Sequence, residues 1–119
     1  PMTFHDAAPK FRTGEDDPRR YLERCLEVIA QRESVVRAWV VRNEAGARAA
    51  ADASAARWKA GRQLSPIDGM PVGIKDLIET KDMPTEQGCA ALAGNAGQKP
   101  RRLAGACVEG NRFHRQYRS

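Results

Sequence analysis

Four residues that interrupt helices, Pro66, Gly69, Pro71 and Gly73, fall close together at the start of the run S-P-I-D-G-M-P-V-G-I-K-D-L-I-E-T-K-D-M-P-T-E-Q-G-C-A-A-L, which spans Ser65 to Leu92. Proline lacks an amide donor and Asp-Gly favours a tight turn, so the chain must reverse or straighten just before Val72. Val72 and Ile74 then alternate with Gly73 and Lys75, and Leu77 and Ile78 add apolar bulk before the loop at 79–85. That pattern predicts a short strand with Lys75 inside it. A lysine so placed has two uses. Its stem can lie on apolar surface while the ammonium reaches water or pairs with Asp76. Alternatively, burial among Val72, Ile74, Leu77 and Ile78 would favour the neutral amine, which is a proton acceptor.

The string G-M-P-V-G-I-K-D-L-I-E-T-K-D-M-P-T-E-Q-G resembles the lysine motif of the amidase signature family, with turn, strand, Lys-Asp pair, Met-Pro-Thr loop and following glycine in the family's order. The resemblance runs from about Pro66 to Leu92. It implies an α/β fold, and hydrolysis of carbon–nitrogen amide bonds by a Ser-cisSer-Lys triad. In that triad a serine attacks the amide carbonyl and the lysine takes its proton through a bridging serine. Lys75 is the position that matches the lysine, a small-molecule amide is the implied substrate of the full-length parent, and no cofactor or metal is implied. Cys89 departs from the pattern, standing where relatives carry a small hydroxyl residue, and is read as packing rather than as a second nucleophile. Ser34, Ser54, Ser65 and Ser119 are the serines, and none has a Gly-Ser-Ser setting. The expectation is therefore the N-terminal part of such an enzyme, truncated or frameshifted after about residue 92 and inactive alone. The transamidating component of the glutamine-dependent transfer-RNA amidotransferases shares the motif and is the alternative within the family.

Upstream, residues 1–17 are polar without periodicity and predict an arm laid over a surface or left mobile. Asp17-Pro18 suits a helix start, and Leu22, Leu26 and Ile29 recur at helical spacing, widened by Tyr21 and Cys25, which predicts a first helix to about Gln31 or Arg32. The β-branched run Val35–Val41 predicts extended chain. Asn43 can cap a second, alanine-rich helix from Glu44 to about Lys59, with Ala45, Arg48, Asp52 and Ala56 on one face and Gly61 as its stop. The family resemblance would lay these helices against a mixed sheet whose first strand carries Lys75, so that 18–92 form the N-terminal portion of an amidase-like domain. Trp39 and Trp58 are better read as core or interface packing than as stacking platforms.

A chain of 119 residues is long enough for one modest core, but aromatics make up 6% and the apolar share leans on alanine, so that core should be thin. Cys25, Cys89 and Cys107 are odd in number and widely spaced, and His5 and His114 lie near opposite ends, so neither a disulfide framework nor a metal site is indicated. A reducing cytoplasm fits, and no export signal or membrane span is legible. Up to Leu92 basic and acidic residues balance at 14 each, so the net charge of +5 belongs to residues 93–119. Arg101, Arg102, Arg112, Arg115 and Arg118, with Phe113 and Tyr117 interleaved, allow two accounts. They are a tail not native to the domain, as a frameshift near Gly94 would leave; or they are a contact for nucleic acid or an acidic partner in a small non-catalytic module. The first is preferred, and nucleic acid is not an expected partner. The run Gly94–Pro100 lacks the Gly-Lys-Ser/Thr ending of a phosphate loop.

Overall fold

The computed structural model describes residues 3–76 together with Ile78, Thr80, Met83, Pro84 and Ala91. Three helices appear among them: α1 (Phe4–Thr13), α2 (Pro18–Val36) and α3 (Glu44–Lys59). Helix α1 occupies the segment expected to be an irregular arm. Thr3 caps it, its hydroxyl oxygen accepting the Asp6 amide at 3.2 Å, and Gly14 closes it at φ 79°. Pro9 lies inside the helix and obscured the spacing of Phe4, Ala7 and Phe11, the last two of which are buried. Burial of that face holds the segment as a helix despite its polar composition.

Helix α2 starts as expected, with the Asp17 carboxylate accepting the Arg20 amide at 2.8 Å and Pro18 in the first turn. It runs past Arg32, however, and takes in Val35 and Val36, which were expected to be extended. These valines are 85% and 60% exposed, so no packing rewards a strand, and their modest propensity deficit is outweighed by the helix hydrogen bonds. Closure comes at Arg37, in the left-handed region at φ 50°, whose amide donates to the Glu33 carbonyl at 2.9 Å. The Glu33 carboxylate then accepts the Trp39 amide at 2.8 Å and directs the chain away from the helix axis.

Helix α3 matches its expected bounds, with Asn43 accepting the Gly46 amide at 2.9 Å and Gly61 at φ 67° beyond its end. The expected strand is not present among the described residues: 71–75 carry no ladder, because no described segment pairs with them. The α/β expectation is thus met here by helices alone. Leu77, Cys89, the run Gly94–Pro100 and the basic segment 93–119 lie outside the described residues.

The core is small and aromatic. Ala7, Phe11, Tyr21 and Trp58 form it, flanked by Phe4 and Cys25. Phe11 meets Trp58 edge to face at 5.7 Å between ring centres, and Phe4 meets Tyr21 in the same manner at 5.4 Å. Trp58 is therefore core, as expected. Charged pairs tie α2 to α3, Arg19 to Asp52 at 2.6 Å and Arg48 to Glu23 at 2.8 Å, so the Arg48 and Asp52 positions on one face of α3 do meet a partner. Among the described residues no helix is long and apolar enough to cross a membrane.

Candidate functional site

The segment that carries Lys75 starts from a buried turn. Asp68 has no exposed surface, and its amide donates to the Ser65 carbonyl at 3.2 Å. Its carboxylate accepts two hydrogen bonds from Arg57, at 2.8 and 2.6 Å, one from the Ser54 hydroxyl at 3.0 Å and one from the Leu64 amide at 3.1 Å. Its carbonyl accepts the Trp58 indole N–H at 2.9 Å. Burial alone would raise the Asp68 carboxyl, but the hydrogen bonds from Arg57, Leu64 and Ser54 outweigh it and hold it below the usual carboxylate range. A buried charge is tolerated here because it is paired with a guanidinium and hydrogen-bonded at both oxygens.

Gly69 follows at φ 88° and is wedged between two helices. A Cβ built there would stand 2.6 Å from the Ser54 hydroxyl on α3 and 2.7 Å from the Pro18 ring at the start of α2. The next close approach is at Gly73, whose Cβ would stand 3.0 Å from the Trp39 ring. Between these two glycines the alternation expected of the strand survives in part. Val72, Ile74 and Asp76 are half-buried, whereas Gly73 and Lys75 are exposed. The Lys75 carbonyl accepts the Ile78 amide at 3.0 Å, and its side chain is on the hydrated side of the segment rather than buried among the four apolar neighbours.

Lys75 and Asp76 border an open groove of about 530 Å³ between α2, α3 and residues 69–76. Leu22, Leu26 and Ile29 of α2 and Ala47 and Ala51 of α3 form its apolar wall, with Trp39, Val40 and Val41 at one side. Cys25 also faces it, and burial pushes its thiol up, away from nucleophilic thiolate. The described serines are engaged elsewhere. Ser54 donates to Asp68, Ser65 accepts the Ile67 amide at 3.3 Å, Ser34 is on α2, and none of them hydrogen-bonds to Lys75. Among the described residues no group of three or more His, Cys, Asp or Glu is arranged to hold a metal ion. The Arg57–Asp68 pair was missed by sequence reasoning. Its one local signal was Asp68-Gly69 itself, since nothing in the sequence pairs that aspartate with an arginine eleven positions earlier.

The carboxylates give a signed pH dependence. Asp68 lies lower in the folded chain than its ordinary 3.8, and Glu23 is brought from 4.5 to about 2 by its hydrogen bonds from Arg48 and Arg19. Both contributions to stability are complete above these ordinary values and are lost as pH falls through the lowered folded ones. Urea midpoints are therefore expected to be flat from pH 7 to about pH 5 and to fall steadily toward pH 2, with a smaller acid loss in Asp68→Asn. An acid limb of the same size in that variant would remove Asp68 from this account.

Against known proteins, the Amidase family model matches residues 20–104, which carries the similarity beyond Leu92. The glutamyl-tRNA(Gln) amidotransferase A-chain protein of Myxococcus xanthus (strain DK1622) is 39% identical over 93 residues, covering 78% of this chain and 19% of the relative. Its counterpart of the same name in Chloroflexus aurantiacus (strain ATCC 29366 / DSM 635 / J-10-fl) is 43% identical with the same coverage. A protein named Amidase from Pseudomonas putida is 33% identical over 114 residues, covering 92% of this chain and 24% of the relative. The chain thus spans about a fifth to a quarter of the length of these relatives. No solved structure gives a significant match.

Proposed function

The chain belongs to the Amidase family, and on that premise we propose that it is the lysine-bearing part of an enzyme that cleaves carbon–nitrogen amide bonds, with Lys75 as general base. The observation that carries this is the exposed Lys75 beside Asp76, held at the edge of an apolar groove by a segment that starts from a fixed turn. In the proposed reaction the neutral Lys75 amine takes a proton from a bridging serine, which takes one from the nucleophilic serine as that oxygen attacks the amide carbonyl. The amine leaves, and water then releases the acyl group from the serine. Neither serine is supplied by the described residues. The groove is the surface on which the remainder of such a domain would pack, and that remainder would bring the serines to Lys75. The substrate class is a small amide and the proposed location the cytoplasm, with neither nucleic acid nor membrane as partner.

A second version is the amidase-like component of a transfer-RNA amidotransferase, favoured by the 39% and 43% identities to proteins named as glutamyl-tRNA(Gln) amidotransferases against 33% to the Pseudomonas amidase. Glutamine would then be the amide cleaved.

Two experiments test the proposal. The chain alone, assayed against glutamine and against aryl and fatty amides, should show no turnover above background, and Lys75→Ala should not differ from it. A chimera in which residues 20–104 replace the matching part of the Pseudomonas amidase should hydrolyse amides, and Lys75→Ala in it should lower kcat by on the order of 10⁴-fold or more. An active chimera indifferent to Lys75→Ala would end the assignment of Lys75 as base. Saturable turnover by the chain alone, abolished by Lys75→Ala, would reveal a nucleophile within it, and Cys89 would be the first to replace.

A further inference from the structure

We propose that Asp68 and Trp39 are positioning residues, acting together as a two-point clamp that sets the path of the segment Gly69–Lys75 and so the place at which Lys75 is presented. The proposal rests on Lys75 being the functional residue of that segment.

The upstream point is the buried Asp68 carboxylate. It joins the last turns of α3, through Ser54 and Arg57, to the Leu64 amide and to the start of the lysine segment. Arg57 contributes a bidentate fork, which fixes direction as well as distance. The backbone that leaves this carboxylate has little lateral freedom, because Gly69 lies tight against both Ser54 and Pro18. The downstream point is the Trp39 ring against Gly73, two residues before Lys75. Trp39 is itself held at its amide by Glu33, so the ring is anchored to the C-terminal end of α2. The segment is thus pinned to α3 at one end and to α2 at the other, without a sheet partner among the described residues. Each pin acts on the backbone that carries Lys75 rather than on the lysine side chain.

The test uses the full 119-residue chain and nuclear magnetic resonance. The Gly73 α-hydrogens should be displaced by the Trp39 ring current, and Trp39→Leu should return them to ordinary glycine positions. Asp68→Asn, which keeps the shape of the side chain but removes its charge, should also abolish the Gly73 displacement. The same variant should speed exchange of the Leu64 and Met70 amides about tenfold, while mid-helix amides of α2 keep their protection. A Gly73 displacement that persists in a folded Asp68→Asn chain would overturn the clamp. If that variant does not fold, Arg57→Lys serves instead. It keeps the charge and loses the fork, and must reduce the Gly73 displacement; an unchanged displacement again overturns the clamp. A lost fold is a structural effect, whereas loss of the Gly73 displacement in a folded chain reports position. Lys75→Ala should leave the displacement intact, so failure of Lys75 as a base in the amidase chimera and failure of the clamp are separate results.

Discussion

Trp58→Ala is expected to cost about 4 kcal/mol and to leave a large fraction of the chain unfolded at 25 °C. The indole is 6% exposed, packs edge to face on Phe11, and lies under the Arg12 guanidinium at 6.0 Å. Truncating a buried tryptophan to alanine typically costs about 3–5 kcal/mol, and small domains hold only about 0.05–0.15 kcal/mol per residue in reserve. The lost indole N–H leaves the Asp68 carbonyl without that donor, a further cost of about 1 kcal/mol in a buried setting. Trp58→Phe separates the two contributions, because it keeps most of the apolar packing and removes the hydrogen bond. Near-ultraviolet circular dichroism should show a defined tryptophan signal in the wild-type chain, lost in Trp58→Ala. Urea denaturation that places Trp58→Ala within about 1 kcal/mol of the wild type would mean that this ring is not central to the core.

Gly69→Ala is expected to be nearly as damaging, at about 3 kcal/mol, although it adds one methyl group. Left-handed backbone costs a residue with a Cβ about 1–2 kcal/mol, and forcing a methyl into a packed contact adds about 1–3 kcal/mol. Gly14 provides the control. It also has a positive φ, but a Cβ there meets nothing within 4 Å, so Gly14→Ala bears the backbone cost alone. Gly69→Ala should therefore exceed Gly14→Ala by about 2 kcal/mol in urea denaturation. Equal costs would show that α2 and α3 yield freely at the turn.

Short-range signals explain how much of this arrangement could be read in advance. Asp17 before Pro18 and Asn43 before the alanine-rich run act within one turn, so both helix starts were legible, as was the turn at Asp68-Gly69. The end of α2 was not. β-branched Val35 and Val36 favour strands only when packing rewards them, and here they face water. Helix α1 was hidden because Pro9 interrupts a pattern whose stability comes from Phe11 packing on Trp58, a contact between distant positions. The lysine motif stood out through its punctuation by proline and glycine. That Lys75 is exposed, and that its segment hangs from a buried carboxylate, depends on where α3 ends in space. No local pattern encodes that placement.

The hydrogen bonds to the Asp68 carboxylate span only 14, 11 and 4 positions along the chain. Loops this short close in well under a microsecond, whereas synthesis proceeds at about 5–20 residues per second. The end of α3 and its turn can therefore close on the ribosome before much further sequence is made, independently of pairing with any distant strand. Lys75 would then be translated onto a seat that is already built. Charge-removing changes at Asp68 should accordingly slow refolding as well as speed unfolding, the kinetic mark of a contact made early.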